Sequence, residues 1–295
     1  MVANIIDGNK IAEEMRAEMK KEVEELKEKG VIPGLAAVLV GENPASKVYV
    51  NMKTKACGEM GIFSISEKLP EDTKEEELLQ VVEKLNKDSR IHGILVQLPL
   101  PKHINESKVL YAILPEKDVD GFHPVNVGRL MIGDPDFIPC TPHGVQQMLI
   151  RSGNDPAGKH VVIVGRSNIV GKPLANILLQ KKKGANATVT ICHTGTKDIA
   201  QFTKTADIVI AAAGHPKTIT ADMVKEGVVV IDVGVNRIDD PTAKKGYRLV
   251  GDVDFEKVKE KAIAISPVPG GVGPMTITLL LANTIRSAKK VSGLV

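Results

Sequence analysis

The chain has 295 residues, which suggests roughly two domains, since compact domains typically hold about 100–150 residues each. Its 43% hydrophobic and 25% charged residues are ordinary for a globular protein, and a net charge of +3 is too small to argue for nucleic acid or membrane binding. Three cysteines far apart in sequence, Cys57, Cys140 and Cys192, argue against a disulfide framework and a metal site, and they favour a reducing, cytoplasmic compartment.

Helices and strands alternate through the first half of the chain. Residues 11–26 carry apolar side chains three and four apart and predict an amphipathic helix that stops at Gly30. Ser46 is the predicted N-cap of a second helix, which runs to Gly61. Further predicted elements are strands at 35–40, 62–65 and 93–98, a helix that opens with the capping box Thr73-Lys74-Glu75-Glu76 and runs to about Lys87, and a helix at about 106–114. This alternation predicts a mostly parallel, three-layer α/β domain.

The strand at 93–98 ends in a polar side chain. Its run is apolar except for Gln97, and Pro99 and Pro101 cannot donate to a sheet, so the strand ends at Gln97 or Leu98. Open α/β sheets bind their ligands at the carboxyl ends of the strands. Gln97 is therefore a candidate site residue. A glutamine that only bonds a neighbouring loop is the alternative for this position.

Other polar side chains of this half point to the same edge. Tyr49 and Lys53 are four residues apart and share one face of the second predicted helix, which follows a strand edge. Asp120 precedes Gly121 in a loop that can reach the same place. A lysine with a glutamine partner in a partly desolvated cleft can have a lowered pKa and act as an acid or base. The plainer alternative is a solvated surface lysine.

A second alternation follows after a boundary region. Residues 121–141 are rich in Gly, Pro, Asn and Asp, and we expect a loop there that carries the domain boundary. Thr141-Pro142 predicts the start of a linking helix. The next predicted strands, typical of a Rossmann-like domain, lie at 160–164, 188–192, 208–212, 228–233 and 262–265. An apolar helix from about Met275 to Lys289 has no place in that domain, so we expect it to pack on the first.

Residues 161–171 predict a nucleotide site made of a strand, a tight loop and a helix start. Gly165 permits the turn, and the free backbone N–H groups at the helix start can face a pyrophosphate. Ser167 stands where the second glycine of GxGxxG is expected, so the motif by itself is weak and a merely structural turn is the alternative.

The end of the second Rossmann strand favours NADP over NAD. Residues 192–195 lack the acid that bonds the ribose hydroxyls in NAD sites. Arg166 and Thr194 suit a 2′-phosphate instead, because a guanidinium binds phosphate in a bidentate manner. His193 is either a further phosphate partner or a surface histidine.

Six motifs, in this order, make the chain similar to the bifunctional methylenetetrahydrofolate dehydrogenase/methenyltetrahydrofolate cyclohydrolase family over essentially its whole length. They are Val40-Gly41 with Ser46-x-x-Tyr49-x-x-x-Lys53, Val96-Gln97-Leu98-Pro99, Lys117-Asp118-Val119-Asp120-Gly121, Pro139-Cys140-Thr141-Pro142, Gly165-Arg166-Ser167 to Gly171-x-Pro173, and Pro267-Val268-Pro269-Gly270-Gly271-Val272-Gly273-Pro274-Met275-Thr276. The resemblance implies NADP-dependent oxidation of 5,10-methylenetetrahydrofolate to the methenyl form, followed by hydrolysis to 10-formyltetrahydrofolate.

The resemblance also assigns roles to residues that match the motifs. Lys53 is the expected general acid/base of the hydrolysis, Gln97 orients it, Asp120 grips the pterin and Tyr49 stacks on the aminobenzoyl ring. Further expected substrate-binding residues are Val96, Leu98, Pro269, Gly270, Gly271 and Thr276. The expected cofactor-binding residues are Gly165, Arg166, Ser167, Ile169, Val170, Gly171, His193, Thr194, Val235 and Gly273. Thr194 replaces a serine common in NADP-using relatives, and Phe122 and Val235 are mild departures.

The implied organisation is a folate-binding catalytic domain at 1–141, completed by the C-terminal helix 275–295, and a Rossmann NADP-binding domain at 142–274. A cytoplasmic homodimer acting on tetrahydrofolate derivatives is expected from the same resemblance. Two other functions stay open from the residues alone. One is another Rossmann dehydrogenase, for instance of the shikimate type, with Lys53 and Asp120 as its acid/base pair. The other is a nucleotide-binding regulatory module with a vestigial cleft.

Overall fold

The computed structural model describes residues 3–243 and 246–294, which divide into two compact units. The three-stranded unit contains Glu14–Cys140 and Ile277–Val295, and the six-stranded unit contains Thr141–Thr276 and the chain up to Glu13. Each name refers to the main β-sheet of the unit.

The strands are, in chain order, β1 (Asn4–Ile5), β2 (Gly34–Val40), β3 (Phe63–Leu69), β4 (Gly93–Val96), β5 (His160–Val164), β6 (Thr188–Cys192), β7 (Ile208–Ala211), β8 (Val229–Asp232), β9 (Asn236–Asp239), β10 (Tyr247–Val250) and β11 (Ala264–Ile265). The helices are α1 (Gly8–Glu28), α2 (Pro44–Met60), α3 (Glu75–Lys87), α4 (Glu106–Ala112), α5 (Pro124–Met131), α6 (Cys140–Arg151), α7 (Gly171–Leu178), α8 (Ala200–Thr203), α9 (Phe255–Val258) and α10 (Val272–Val291).

The sheet of the three-stranded unit is parallel and has the order β3-β2-β4. Every residue of β2 and β4 is buried, so both faces of these strands are covered. On one face the strands pack against α3 and α4, through a core that includes Ala36, Val38, Ile94, Val96, Leu78, Val82, Val109 and Leu110. This arrangement confirms the predicted three-layer α/β organisation.

From Ile277 onward the last helix belongs to the three-stranded unit, as the sequence predicts. The amide of Asn283 donates to the carbonyls of Val119 (2.8 Å) and Ile138 (2.9 Å). The hydroxyl of Ser287 donates to the carbonyls of His92 (2.6 Å) and Glu116 (2.8 Å). The helix therefore contributes buried side chains to the core, and its hydrogen bonds fix the segments around Asp120.

The sheet of the six-stranded unit is parallel throughout, with the order β1-β11-β8-β7-β5-β6. Strand β5 is the first strand of the Rossmann-like half, and it pairs with β6 on one side and β7 on the other. The point at which the strand order reverses is therefore the carboxyl edge of β5 and β7, where doubly wound sheets bind their ligands. The Rossmann-like fold predicted for this half is confirmed, and β9 and β10 form a separate antiparallel hairpin.

The N-terminal boundary differs from the predicted domain at 1–141. Asn4 and Ile5 pair with Ala264 and Ile265, so β1 is an edge strand of the other sheet. The chain up to Glu13 clusters with the six-stranded unit for this reason. A strand of two residues is too short to show alternation, and sequence analysis missed it.

The structure differs locally from the sequence predictions at three places, where residues common in turns lie within a helix or at its start. Within the expected loop at 121–141 the chain forms α5, with Pro124 in its first turn and the ring of His123 accepting from the Val125 amide. Helix α2 begins before the predicted cap Ser46, because the side chain of Asn43 accepts from the amides of Ala45 and Ser46. Helix α10 begins at Val272, earlier than the predicted Met275.

Candidate active site

Lys53 and Gln97 meet in the three-stranded unit. The ammonium of Lys53 donates to Oε1 of Gln97 over 3.0 Å. Lys53 lies on α2, and Gln97 directly follows β4. The backbone N–H of Gln97 donates to the Val38 carbonyl (2.9 Å), which fixes its position beside β2. The Nε2 group of Gln97 donates to the Leu98 carbonyl (2.8 Å), which leaves Oε1 facing the lysine. The predicted pairing at the carboxyl edge of β4 is present in the structure.

Lys53 is 7% exposed, and this burial decides its chemistry. Burial lowers the pKa of Lys53, and the nearby acidic groups of Asp120 and Cys140 oppose that shift only in part. A lysine in this environment loses its proton more readily than a surface lysine. It can therefore both accept and donate a proton.

Asp120 lies beside Lys53 and Cys140. Burial raises the pKa of Asp120 to about 6, although the positive charge of Lys53 acts in the opposite direction. The thiol of Cys140 donates to the Val119 carbonyl (3.4 Å), and burial, followed by the charge of Asp120, raises the pKa of Cys140 well above its usual value. The sequence motif contained Cys140 without suggesting a role. The structure places this thiol next to the carboxylate.

The loop that carries Asp120 is fixed by two buried charged residues. The ammonium of Lys117 donates to the carbonyls at the end of α3, those of Leu85 (3.2 Å), Asn86 (2.7 Å) and Asp88 (2.8 Å). The carboxylate of Asp118 accepts from the amides of Phe122 and His123 and from the side chain of Asn126. Lys117 and Asp118 thus position Asp120, which explains their place in the motif.

The other predicted residues of this unit lie around the pair. Tyr49 is one turn before Lys53 on α2 and is partly buried, which raises its pKa. Val96 is the last residue of β4 and is buried, and Leu98 is partly buried. An aromatic ring, an amide and two titratable groups with shifted pKa values therefore lie in this part of the unit.

The six-stranded unit has the expected dinucleotide loop between β5 and α7. Gly165 has a φ of +143°, and a Cβ there would lie 2.1 Å from the Ala212 carbonyl oxygen. A Cβ on Gly171 would lie 2.0 Å from the Gly165 carbonyl oxygen, so this position needs glycine for close packing of helix against strand. Ser167, in place of the second glycine, accepts from the Val170 amide (3.1 Å) and shapes the turn. Ile169 is 39% exposed in the same loop.

Arg166 and His193 come together after the ends of β5 and β6. Arg166 Nη1 and His193 Nε2 are 3.4 Å apart. Nδ1 of His193 accepts from the Gly195 amide (3.0 Å), so a neutral ring carries its proton on Nε2. Arginine has only donors, and the two side chains therefore present donors to one point. An anion such as a 2′-phosphate satisfies both, and the exposed Thr194 follows directly.

The remaining predicted residues of this unit lie after β8 and β11. Val235 is 47% exposed, and Gly270 has a φ of +99° that favours glycine. The hydroxyls of Thr276 and Thr141 are 2.9 Å apart. A Cβ on Gly8 would lie 1.8 Å from the Gly271 carbonyl oxygen, so the start of α1 packs on the segment that contains Pro269, Gly270, Gly271 and Gly273. Sequence analysis missed Gly8, for which a glycine at a helix start was the only signal.

The predicted substrate residues are thus divided between the units. Tyr49, Val96, Gln97, Leu98 and Asp120 belong to the three-stranded unit, and Pro269, Gly270, Gly271 and Thr276 to the six-stranded unit. All predicted cofactor residues belong to the six-stranded unit. In residues 3–243 and 246–294, no group of three or more His, Cys, Asp or Glu side chains is placed to hold a metal ion. No helix in the same ranges is long and apolar enough to cross a membrane.

Two family models match the chain. Residues 6–120 match the tetrahydrofolate dehydrogenase/cyclohydrolase catalytic domain, and residues 139–292 match the NAD(P)-binding domain of the same family. The two matched ranges contain the Lys53–Gln97 pair and the Arg166–His193 pair, respectively.

Known relatives are similar over their full length. The chain is 62% identical to a bifunctional protein FolD of Syntrophus aciditrophicus over 294 residues, 100% of each chain. The bifunctional enzyme FolD of Campylobacter jejuni has a crystal structure with 49% identity and a TM-score of 0.92, covering 98% of this chain and 99% of that one. The Trypanosoma brucei enzyme, complexed with NADP cofactor and inhibitor, has 42% identity and a TM-score of 0.93 over 98% of each chain. By its two domains, its paired site residues and these full-length matches, the chain belongs to the tetrahydrofolate dehydrogenase/cyclohydrolase family.

Proposed function

We infer that the protein is bifunctional and catalyses two consecutive reactions on a folate. The first is NADP-dependent oxidation of 5,10-methylenetetrahydrofolate to 5,10-methenyltetrahydrofolate, and the second is hydrolysis of that product to 10-formyltetrahydrofolate. Membership of the family and 62% identity to a relative named as bifunctional support both steps. The observation that carries the inference is the pairing of buried Lys53 with Gln97, because it provides the hydrolysis with a group that can accept and donate a proton.

Lys53 serves the hydrolysis as general acid and base. Its lowered pKa makes the neutral amine accessible, so Nζ accepts a proton from the water that attacks the methenyl carbon. The same atom returns a proton to the ring nitrogen as its bond to that carbon breaks, and the second water proton leaves to solvent. Gln97 holds the amine by accepting its hydrogen bond at 3.0 Å, and so keeps it directed at the reacting carbon.

Asp120 and Tyr49 hold the folate. As a carboxylate, Asp120 can accept two N–H bonds from the amino-pyrimidine end of the pterin, and its ionised form is also the better partner for the Lys53 ammonium. The ring of Tyr49 offers a face for the aminobenzoyl group. Val96 and Leu98 supply apolar surface next to Gln97.

NADP⁺, when bound, supplies the acceptor for the hydride that leaves the methylene carbon. The residues of this chain fit the cofactor. Gly165, Ser167, Ile169, Val170 and Gly171 form the loop for the pyrophosphate, while Arg166, His193 and Thr194 present donors to the 2′-phosphate. Val235 and Gly273 are assigned to the nicotinamide end. Pro269, Gly270, Gly271 and Thr276 are assigned to the folate, and glycine at positions 270 and 271 permits close approach of the backbone.

The wider organisation follows from the same membership. We assign hydrolysis to the three-stranded unit, NADP binding to the six-stranded unit, and folate binding to residues of both. The boundaries of these units replace the predicted 1–141 and 142–274. Three free and buried cysteines are typical of a reducing compartment and support a cytoplasmic location.

We also propose a homodimer. Light scattering of the purified protein would give twice the mass of the chain, and a monomeric mass would reject this assignment.

One assay tests both reactions. Purified protein is mixed with methylenetetrahydrofolate and NADP⁺, and the absorbances of NADPH and of the methenyl species are followed. We expect NADPH to form and the methenyl species to be consumed. A shikimate-type dehydrogenase or a regulatory module would leave both absorbances unchanged, and formation of NADPH with a stable methenyl species would remove the hydrolase.

A further inference from the structure

Two buried aspartates of the six-stranded unit have no place in the site described so far. Asp232 ends β8 and is 2% exposed, and Asp252 follows β10 and is 0% exposed. Neither forms an ion pair among the residues that the structure describes. Both accept only N–H donors, and these donors belong to loops at the carboxyl edge of the sheet.

Asp252 joins the loops that follow β7 and β8. Its Oδ2 atom accepts from the amides of Ala213 (2.7 Å) and Gly214 (2.8 Å), just after β7. Its Oδ1 atom accepts from the side chain of Asn236 (2.8 Å), at the start of β9. The carboxylate therefore bridges the segment after β7 and the residue that directly follows the exposed Val235.

Asp232 fixes Asp252 in turn. Its Oδ1 atom accepts from the amides of Gly234 (3.0 Å) and Asp252 (2.9 Å), and Oδ2 accepts from Val253 (3.0 Å). The amide of Asp232 donates to the hydroxyl of Ser266 (2.8 Å), directly after β11. Segments that follow β7 and β8 thus converge on the two carboxylates, whereas the segment after β11 is bonded to the backbone of Asp232.

Close packing makes the arrangement rigid. A Cβ on Gly234 would lie 2.1 Å from Oδ1 of Asp252, and a Cβ on Gly251 would lie 1.8 Å from Oδ2 of Asp232. The contact of Gly165 with the Ala212 carbonyl extends the network to the loop that carries Arg166. All these segments follow parallel strands of one sheet, and those after β5 and β7 lie where the strand order reverses.

The arrangement carries an energetic cost. Burial raises the pKa of Asp232 to about 7, and the charge of Asp252 adds to this shift, although three backbone amides act against it. Two carboxylates so close together in the interior are an expensive way to tie loops for stability alone.

We propose that Asp232 and Asp252 are positioning residues of the cofactor site, whose carboxylates hold the segments after β7 and β8 in the geometry that NADP⁺ requires. The inference rests on the NADP-dependent activity proposed above. The hydrolysis step offers an internal reference, because it starts from methenyltetrahydrofolate and uses no NADP⁺. A substitution that disturbs only the cofactor site lowers the NADP⁺-dependent oxidation and leaves hydrolysis unchanged, whereas a substitution that impairs folding lowers both activities.

The test uses Asp252→Asn in the full chain. Every contact of Asp252 is with a donor, so the amide NH₂ of the variant must face either the Ala213 and Gly214 amides or the Asn236 side chain. We expect the KM for NADP⁺ to rise by about 10- to 100-fold, the loss expected for hydrogen bonds to a charged group. Hydrolysis of added methenyltetrahydrofolate should stay at the wild-type rate. Calorimetric titration with NADP⁺ should show the same loss of affinity without turnover.

Two further variants complete the test. Asp222→Asn makes the same chemical change at an exposed carboxylate whose partner is Thr220, and it should leave NADP⁺ affinity unchanged. Asn236→Ala removes one donor and keeps both carboxylates, so it should raise the KM for NADP⁺ by about two- to tenfold even if Asp252→Asn does not fold.

Three outcomes would overturn the proposal. One is unchanged NADP⁺ affinity in folded Asp252→Asn, the second is an equal loss of both activities, and the third is wild-type NADP⁺ affinity in Asn236→Ala. Failure of the wild-type protein to reduce NADP⁺ would instead count against the proposed function, and calorimetry would still report whether the aspartates affect binding of the dinucleotide.

Discussion

In the three-stranded unit, the side chains proposed for the chemistry are at least partly buried and come from distant parts of the sequence, whereas in the six-stranded unit the loop proposed for the nucleotide is largely exposed and continuous in sequence. Lys53 and Gln97 are far apart in sequence and meet through α2 and β4. Arg166 and the loop up to Gly171 are consecutive residues. Proton transfer needs desolvated groups with shifted pKa values, while an anionic cofactor needs donors that it can reach.

The comparison teaches that the two sites should respond differently to substitution. At the buried site, loss of one side chain removes a chemical step and also leaves partners without their hydrogen bonds. At the exposed edge, loss of one donor weakens binding and leaves the chemistry intact. Four substitutions test this distinction, from the largest expected effect to the smallest.

Replacement of Lys53 has the largest expected effect. Lys53→Met keeps the length of the side chain and removes the ammonium, so hydrolysis should fall by about 10²–10⁴-fold, the usual contribution of general acid–base catalysis. Hydride transfer needs alignment of the folate but no proton transfer at the migrating hydrogen, so it should fall less. Both rates are measured on the same preparation.

Lys55→Met is the matched control for this prediction. Lys55 lies on the same helix, and its side chain is 79% exposed. It should keep both activities. Equal losses of the two activities in Lys53→Met would make Lys53 a binding residue only, and intact hydrolysis would remove it from the mechanism.

Asp120→Asn should affect both reactions through the folate. An amide cannot accept two N–H bonds as a carboxylate does, so KM for the folate should rise by about 10- to 100-fold in each reaction. Calorimetric affinity for NADP⁺ should not change. The exposed Asp134, substituted in the same way, should behave like the wild type. Normal folate affinity in Asp120→Asn would reduce Asp120 to a structural residue of its loop.

The same carboxyl group predicts a pH dependence. Because burial raises the pKa of Asp120 to about 6, the group is a carboxylate above that pH and becomes neutral below it. The kcat/KM for hydrolysis should therefore decrease as the pH falls through about 6, and Asp120→Asn should lack this acidic limb. An identical acidic limb in the variant would assign it to another group.

Arg166→Ala should affect only one cofactor. Loss of a charged contact to the 2′-phosphate should cost about 1.5–3 kcal/mol, about ten- to hundredfold in KM for NADP⁺. The KM for NAD⁺ should change little, since NAD⁺ has no 2′-phosphate. Arg248→Ala, an exposed arginine on the β9–β10 hairpin, is the control. Equal losses with both cofactors would contradict the 2′-phosphate assignment.

The sequence predicts what depends on short, regular patterns. The bounds of β5 and β6 agree with prediction because both strands are β-branched runs between turn signals. Gln97 could be placed at the end of β4 because two prolines end the strand. A short pattern does not predict the pairing of Lys53 with Gln97, since nothing in their spacing places them together. The expectation rested on the position of both residues near strand ends of one sheet.

What the sequence did not predict depends on contacts across the fold. The thiol of Cys140 beside Asp120 and the convergence of loops on Asp232 and Asp252 involve residues far apart in the chain. The two residues of β1 are recognised only through their partners in β11. The helix α5 was hidden because its Pro124 and Asn126 are also common in loops.

The smallest effect is expected at the start of the helix that carries Lys53. Asn43, and not the predicted Ser46, caps α2 by accepting from the amides of Ala45 (3.0 Å) and Ser46 (3.2 Å). Asn43→Ala should lower the free energy of unfolding by about 1 kcal/mol, the usual cost of losing an N-cap. Asn51→Ala is the control, because an exposed asparagine inside the same helix gains slightly in helix propensity when it becomes alanine. Denaturant unfolding measures both variants. Equal stability of the two would mean that the Asn43 cap contributes nothing, whereas a loss confined to Asn43→Ala, with NADP⁺ affinity unchanged, would place the effect in α2.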